Sequence, residues 1–231
     1  MDFFEVVEKR RSIRKFKQTP FPQASVERAL QAALRAPNSS NTQTWNFHWI
    51  TTEELKKKMV SICLGQSAAR TADQFVVVSA DPKLWRRSQQ ALIKWVKDGQ
   101  APKPVLLYYE KLIPFTYRWG LLNLFGAFKW LGFSVYGLFK PIMRGPFTKS
   151  QVQEVAIKSA ALAAENFVLA ITAQGGSTCM MEGFDECRLK SLLKMTSTTR
   201  VLMVIGIGYE GERGTWGPQF RLPFEQVVHK C

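Results

Sequence analysis

Residues 151–173 read QVQEVAIKSAALAAENFVLAITA, and this stretch sets the architecture of the chain. Apolar side chains recur at helical spacing along its whole length, which predicts one long helix. Gly175 and Gly176 follow at once and end it. Small residues dominate the pattern, so neighbouring elements can approach closely. We therefore expect a tightly packed helix, of a kind that can also line a subunit interface.

Short apolar segments on either side of this helix predict β-strands. They read WNFHWI at 45–50, QFVVVSA at 74–80, STCMM at 177–181 and RVLMVIGIGY at 200–209. The last is apolar after its arginine, so we expect it to be buried on both faces. Helical patterns accompany these strands at 2–11, 24–36, 53–64 and 185–194. The combination predicts an α+β fold in which helices cover both sides of a sheet.

The composition is that of a folded protein without a disulfide framework. Of 231 residues, 46% are hydrophobic and 22% are charged, which excludes a disordered or collagen-like chain. The four cysteines lack metal-ligand spacing, and the first residues lack the apolar stretch of a secretory signal. We expect reduced thiols and a cytoplasmic location.

Positive charge is concentrated in the middle of the chain. The net charge is +14, and residues 83–149 contain 12 basic but only 2 acidic residues. Such a field attracts nucleic acid, anionic lipid or an anionic small molecule without distinguishing among them. Because no recognition helix, aromatic RNA-binding motif or zinc finger is apparent, we expect no nucleic-acid partner.

One apolar segment differs from an ordinary core element. Residues 119–139 contain 14 apolar residues, 4 glycines and one charge, Lys129. The segment just reaches the length of a bilayer span, but a central lysine and basic flanks argue against spanning. On a helix, Arg118, Lys129 and Lys140 form one basic line opposite apolar residues, as in an interfacial helix. Two interpretations stay open: a buried lid or dimer helix, or contact of residues 111–149 with an anionic membrane surface.

Two polar loops carry the candidate chemistry. The first contains Arg10, Arg11, Ser12 and Arg14. Three guanidiniums and a hydroxyl within five residues suit a phosphate group. The second, PNSSNTQ at 37–43, is dense in amides and hydroxyls that can bond to a polar heterocycle. The sequence shows no Ser/His/Asp set, and the glycine pattern at 206–211 is followed by a loop instead of the helix that a dinucleotide motif requires.

These loops, together with two later segments, resemble the nitroreductase family of flavoproteins. The resemblance rests on RRSIRKF at 10–16, APNSSNTQTW at 36–45, MEGFD at 181–185 and FRLPFEQVV at 220–228. It implies a three-layer fold with a central, mostly antiparallel sheet, made by a single domain of residues 1–231 that assembles as an intertwined homodimer. It also implies FMN at the subunit interface, reduced by NADH or NADPH and reoxidised by a second substrate in ping-pong order.

The resemblance further implies roles for individual residues. Arg10, Ser12 and Arg14, with Arg11 in the same motif, correspond to contacts with the FMN phosphate, ribityl chain and ring edge. Pro37, Asn38, Ser39 and Asn41 correspond to a strip that the partner subunit lays against the flavin. Met181, Glu182 and Gly183 correspond to a turn whose backbone N–H, at Gly183, faces the reactive flavin N5. Arg221 corresponds to a second phosphate ligand. No side chain is expected to act as catalytic acid or base, since the flavin carries the chemistry.

Residues 84–149 match no segment of the family pattern and are interpreted as an aromatic, basic helical insertion. In this family the equivalent region shapes the substrate channel, so the insertion favours a flat hydrophobic or anionic acceptor such as a nitroaromatic or a quinone. Gln66 and Arg70 are the polar residues nearest to an expected asparagine and lysine, and they receive no role. Two alternatives stay open: a specialised relative, such as a dehalogenase or enone reductase, and a non-catalytic protein that binds a membrane or an anionic ligand.

Overall fold

The computed structural model describes residues 1–121 and 123–231 in full and residue 122 by its backbone. The strands are β1 (Trp45–Ile50), β2 (Gln74–Ala80), β3 (Ser177–Met181) and β4 (Arg200–Gly208). The helices are α1 (Phe3–Lys9), α2 (Gln23–Ala33), α3 (Glu53–Ile62), α4 (Ser67–Thr71), α5 (Trp85–Trp95), α6 (Pro104–Leu107), α7 (Ile113–Tyr117), α8 (Leu124–Tyr136), α9 (Lys149–Ala173), α10 (Glu186–Leu192) and α11 (Phe224–Val227). Short turns of tighter or wider helix lie at Ser39–Asn41, Pro82–Leu84, Val96–Gln100, Tyr108–Leu112 and Leu121–Asn123.

The four strands form one antiparallel sheet in the order β1-β2-β4-β3. The two central strands are the most apolar, as their sequences predict: every residue of β2 is buried, and so are residues 204–208 of β4. Residues 201–203 of β4 are only half-buried, so the expectation of burial on both faces holds for the second half of that strand.

Alternating side chains of the sheet feed two separate hydrophobic layers. Val76 and Val78 of β2 pack toward α2 and α9 on one face. Phe75 and Val77 point to the opposite face, where α3, α4 and α10 cover them. The alternation follows from the two-residue period of a strand. The α+β three-layer fold predicted from the sequence is therefore confirmed.

Helix α9 is the central helix of one layer. Its buried face contains Ala156, Ala160, Ala163 and Ala164, and these small side chains let α2 and the sheet approach closely. Among the described residues, α9 is the one helix long and apolar enough to cross a membrane, yet half of its most apolar window is buried inside the protein. Its hydrophobicity therefore belongs to the core of the fold.

The segment between β2 and α9 forms a third apolar cluster apart from the sheet. Trp85, Tyr109, Ile113 and Tyr117 are its largest members, and Val152 of α9 joins it. The short helices α5 to α7 and the turns between them supply most of this cluster. The predicted insertion at 84–149 therefore has a hydrophobic interior of its own, which α9 connects to the rest of the molecule.

Two expectations for residues 119–139 are wrong. The segment is not one continuous helix, because Gly120 and Asn123 adopt positive φ angles of 75° and 62° and α8 begins only after them. Lys129 does not lie on an exposed basic line with Arg118 and Lys140. It is 5% exposed, and its ammonium group donates to backbone carbonyls inside the insertion.

Asp81 fastens the end of β2 to the loop before β4. Its carboxylate accepts hydrogen bonds from the hydroxyls of Thr196, Thr198 and Thr199 at 2.7, 2.9 and 3.1 Å and from the backbone N–H of Lys83 at 2.9 Å. Burial by itself raises the pKa of this carboxyl, but the hydrogen bonds outweigh burial, so the pKa lies below its ordinary value of 3.8.

We expect Asp81→Asn to lower the free energy of unfolding by about 1–3 kcal/mol at neutral pH, because an amide presents one acceptor oxygen where the carboxylate presents two. A lowered folded-state pKa gives stability that is present above pH 3.8 and is lost as the pH falls through the folded-state value. Urea unfolding of both proteins at neutral and at strongly acid pH measures the effect. A stability difference that stays the same in acid would contradict this role of the carboxylate.

Candidate functional site

A cavity of about 410 Å³ lies between the loop after α1 and the carboxyl-terminal tail. Five of the predicted site residues line it: Arg10, Arg11, Ser12, Arg14 and Arg221. Residues 215–220 complete the wall. The volume falls within the range of about 300–1,000 Å³ that is usual for small-molecule sites. Four guanidiniums around one cavity of this size favour an anionic ligand.

Arg10 is one of the arginines that line this cavity. Its Nε is buried and has no hydrogen-bond acceptor among the described residues. The carboxylate oxygen of Glu165 on α9 lies 3.9 Å from that nitrogen, beyond hydrogen-bonding distance. Arg10 therefore has one long ionic contact inside the protein, and its guanidinium lines a cavity that can hold an anion. This geometry fits a phosphate group.

Two arginines hold the carboxyl-terminal tail against the cavity. Arg11 Nη2 donates to the carbonyl of Gly217 at 2.6 Å. The guanidinium of Arg14 lies over the Trp216 ring, 4.6 Å from its centroid, and the backbone N–H of Arg14 donates to the carbonyl of Gly214 at 2.6 Å. The arginine loop and the tail are therefore one structural unit although about 200 residues separate them in sequence.

The arginine loop is fixed to the β3 edge of the sheet. Ser12 forms a parallel bridge with Thr178, and the N–H of Ile13 donates to the Thr178 carbonyl at 2.8 Å. Burial raises the pKa of the neighbouring Cys179 thiol, and the positive charge of Arg14 opposes that shift. Arg14 therefore lies close enough to β3 for its charge to act there.

The predicted turn of Met181, Glu182 and Gly183 directly follows β3. The Glu182 carbonyl accepts a hydrogen bond from the N–H of Phe184 at 3.1 Å. The C=O of Glu182 and the N–H of Gly183 belong to one trans peptide and point in opposite directions, so the Gly183 N–H points away from Phe184. Gln66 Nε2 donates to the Gly183 carbonyl at 2.6 Å. Gln66 thus holds this turn in place, a role that the sequence did not reveal. The turn lies at the same sheet edge as the arginine loop.

The predicted strip of Pro37, Asn38, Ser39 and Asn41 lies elsewhere in the chain. It precedes β1, the strand at the opposite edge of the sheet from β3. Three strand spacings of about 4.8 Å separate these edges by about 14 Å. None of the described residues that line the arginine cavity belongs to this strip. A single chain therefore presents the predicted site residues as two separate groups.

The strip has a fixed and unusual backbone. Ser40, Asn41 and Gln43 all have positive φ angles, of 54°, 52° and 43°. The Asn38 side chain accepts from the N–H of Gln43 at 2.9 Å and so closes the turn. Ser159 on α9 accepts from the N–H of Ser39 at 3.4 Å. These bonds keep the polar groups of the strip in one arrangement.

Two tyrosines of the insertion also hold the strip. Tyr117 OH donates to Ser39 Oγ at 2.8 Å, and Tyr108 OH donates to Ser40 Oγ at 2.7 Å. The sequence offered only one signal for these contacts, the unusual aromatic content of the insertion. The insertion is therefore coupled directly to one of the predicted flavin-binding segments.

Comparison with known proteins agrees with the geometry. A model of the Nitroreductase family matches residues 7–209. The chain therefore belongs to the nitroreductase family, as its four sequence blocks predicted.

Individual relatives cover nearly the whole chain. Spy0809 of Streptococcus pyogenes serotype M6, which is named as a candidate NAD(P)H nitroreductase, is 24% identical over 232 residues and covers 100% of both chains. The 4-nitrobenzoate reductase of Pseudomonas putida is 26% identical over 229 residues, which is 98% of this chain and 92% of that protein. The two alignments thus extend over nearly the full length of this chain and of both relatives.

A solved structure has the same fold. A candidate nitroreductase from Exiguobacterium sibiricum, crystallised in complex with FMN, superimposes with a TM-score of 0.76 and 21% identity over 100% of this chain and 98% of its own. At that identity the likeness establishes the fold, and it confirms the predicted nitroreductase-like architecture.

We expect Tyr117→Phe to loosen the strip at 37–43 without disturbing the insertion. The phenyl ring keeps the packing against Trp85, whose centroid lies 6.2 Å away, while the hydrogen bond to Ser39 is lost. One such bond contributes about 0.5–1.5 kcal/mol, so amide hydrogen exchange in this peptide should accelerate about 2- to 10-fold. Exchange mass spectrometry measures this. Tyr136→Phe, which removes an exposed hydroxyl, is the control, and an equal effect of both variants would contradict the tether.

Proposed function

We propose that this protein is an FMN-dependent oxidoreductase that uses NADH or NADPH to reduce a flat acceptor such as a nitroaromatic or a quinone. Membership of the nitroreductase family supports the reaction class. The observation that carries the assignment to this chain is the arginine cavity, where Arg10, Arg14 and Arg221 meet although they come from opposite ends of the sequence.

The cavity suits the phosphate end of FMN. A phosphate carries about −1.5 to −2 charges at neutral pH and accepts hydrogen bonds through three oxygens. Arg10 lines the cavity with its guanidinium, and Arg221 reaches the cavity from the tail. Ser12 adds a hydroxyl at the same wall. Together they can bind and orient the cofactor through charge-assisted hydrogen bonds.

The remaining residues of this edge act on the ring end of the site. Bound FMN supplies the redox chemistry that links the nicotinamide to the acceptor. Arg14 would hold a positive charge near the ring edge of bound FMN and would stabilise negative charge there. The Gly183 N–H points away from Phe184, and the family resemblance gives this N–H the role of facing N5. Gln66 fixes the orientation of that turn.

A homodimer explains why one chain presents the site residues in two groups. We propose that the strip of Pro37, Asn38, Ser39 and Asn41 from the partner subunit completes the flavin site at the β3 edge. Exposed apolar side chains offer a contact surface for the partner on α1, at Phe3 and Phe4, and on α9, at Leu162. In a two-fold dimer the arrangement forms twice.

The acceptor is proposed from the insertion and from one relative. The insertion is aromatic and basic, and its tyrosines contact the strip that would lie against the flavin. A flat, hydrophobic or anionic molecule matches that chemistry. The relative from Pseudomonas putida is named for reduction of 4-nitrobenzoate, an anionic nitroaromatic. We also propose a cytoplasmic location, in keeping with four free cysteines.

We expect Arg10→Ala and Arg221→Ala each to weaken FMN binding about 10- to 100-fold, since each removes a charge-assisted hydrogen bond worth about 1.5–3 kcal/mol. Fluorescence quenching in titrations of deflavinated protein with FMN measures the dissociation constant. Arg28→Ala, an exposed arginine on α2, is the matched control and should bind FMN normally. Arg221 lies in the exposed tail, so its loss leaves the core intact. Unchanged affinity in both cavity variants would remove the phosphate assignment.

The proposed reaction predicts a two-stage optical experiment. The FMN-loaded protein should be yellow, should bleach with NADH or NADPH under anaerobic conditions, and should recover its colour when 4-nitrobenzoate or a soluble quinone is added. Stopped-flow absorbance separates the two half-reactions. Protein that takes up FMN but does not bleach with either nicotinamide would contradict the enzymatic function.

A further inference from the structure

Helix α8 exposes apolar side chains and buries its one charged side chain, which is the reverse of a helix on the surface of a soluble protein. Phe128, Trp130 and Leu131 expose 74, 58 and 56% of their surface, whereas Lys129, the single charged residue of the helix, is only 5% exposed. A solvent-facing helix normally places charge outward and apolar residues toward the core. An exposed apolar face of this kind marks a surface that is covered by something else.

The burial of Lys129 is built in detail. Its ammonium nitrogen lies 2.8 Å from the carbonyl oxygen of Arg118, 3.0 Å from that of Thr116 and 3.1 Å from that of Phe115. The rings of Phe115 and Phe125 lie 5.7 and 5.3 Å from it. The insertion thus satisfies this charge internally and removes it from the outer face of α8. The large side chains that stay exposed on α8 are aromatic and aliphatic.

The apolar surface continues beyond α8. Phe115 packs edge-on against Phe125 of α8, with ring centroids 5.8 Å apart. On its other side, Phe115 lines an open apolar groove with Leu107 and Leu112, which are 65 and 48% exposed. One continuous hydrophobic surface therefore runs from α6 through α7 to α8. We call it the α6–α8 surface.

Positive charges border the α6–α8 surface, and its one acidic residue, Glu110, is paired with Lys97 at 3.5 Å. Residues 111–149 contain six basic residues and no acidic residue. With Lys129 buried, five of them are exposed: Lys111, Arg118, Lys140, Arg144 and Lys149. Lys111 lines the groove itself, and Arg144 donates to the carbonyls of Phe133 and Gly137 at the end of α8 at 3.3 and 3.0 Å. The charge is therefore fixed beside the apolar face.

We propose that the α6–α8 surface docks on an anionic phospholipid bilayer, with the apolar face in the interfacial region and the cations against lipid phosphates. Interfacial helices combine these two features. The 13 residues of α8 extend about 20 Å, short of the about 30 Å of a bilayer core, so the helix lies along the surface and does not span it.

Charge decides between a bilayer and a second copy of the chain as the occupant. A two-fold contact through the α6–α8 surface would bring the same five cations of each copy to one interface. Like charges placed together disfavour such a contact, whereas anionic headgroups neutralise it. Docking needs neither flavin nor nicotinamide, so it stands independently of the proposed reaction.

The test is co-sedimentation of the full chain with large unilamellar vesicles, either phosphatidylcholine alone or phosphatidylcholine with phosphatidylglycerol. We expect binding to the anionic vesicles at low ionic strength and little binding at about 1 M salt, where the screening length is about 3 Å. Quenching of Trp130 fluorescence by acyl-brominated lipid, with Trp130→Phe as reference, reports insertion directly. Vesicle binding should be equal with and without FMN.

Two sets of variants separate the apolar and the charged parts. Phe128→Ser with Trp130→Ser changes only exposed side chains and should weaken vesicle binding at least about tenfold. Lys111→Gln, Arg118→Gln and Lys140→Gln together should weaken it about a hundredfold, at about fivefold for each cation. Leu64→Ser is the apolar control, and Arg35→Gln with Lys57→Gln and Arg188→Gln is the charge control. Both controls alter exposed residues outside the insertion.

Each other outcome overturns the proposal. Absence of vesicle binding at low salt excludes docking on lipid. If, in addition, the Phe128 and Trp130 variant sediments as a smaller species in analytical ultracentrifugation, the α6–α8 surface is a subunit contact. Equal binding to neutral and anionic vesicles, or equal loss in the control variants, removes the role of the bordering cations.

Discussion

Close packing of α9 against the sheet is the constraint on which the rest of the structure depends. Its alanines bring α2 and the strands within reach of one helix. From that helix Glu165 lies beside Arg10, Ser159 bonds to Ser39, and the side chain of Asn166 donates to the Ala32 carbonyl at 3.3 Å. Helix α9 thus positions both groups of candidate site residues. A larger residue on the alanine face would displace both groups together.

The division of the site residues between two sheet edges is the physical argument for the proposed homodimer. One edge provides the guanidiniums, the tail and the turn at Gly183, which suit a phosphorylated cofactor. The other edge provides a rigid strip of amides and hydroxyls. A cofactor held by both would bind only to the assembled protein, so cofactor binding and subunit association would stabilise each other.

Lys129 shows how a buried charge can shape a surface. Burial lowers the pKa of its ammonium group, which reflects the cost of removing it from water. The backbone carbonyls offset that cost, and the outer face of α8 becomes uniformly apolar. The same insertion contacts the strip through Tyr108 and Tyr117. A surface that contacts lipid and a loop that contacts the flavin would then belong to one connected unit.

Much of the fold was predictable because its signals are local. The strands at 45–50, 74–80 and 177–181 coincide with β1, β2 and β3, since short apolar runs bounded by turns have few alternatives. The helix expected at 119–139 is interrupted at Gly120 and Asn123, where the φ angles are positive although the composition is helical. The helical period also predicted that Lys129 would be exposed. This prediction was wrong because the carbonyls that bind the ammonium group come from α7 and the residue after it, and the period of one helix carries no information about them.

The sequence by itself determined the layers of the fold, the family and five of the residues that line the arginine cavity, because side-chain period and motif order are properties of the chain alone. Only the tertiary structure decided that Arg11 holds Gly217, that Gln66 holds Gly183, and that Lys129 turns inward. These contacts join residues far apart in sequence, and their geometry depends on how α9 and the sheet pack. The free energy of a long-range contact is set by burial and distance, and neither is written in the order of the residues.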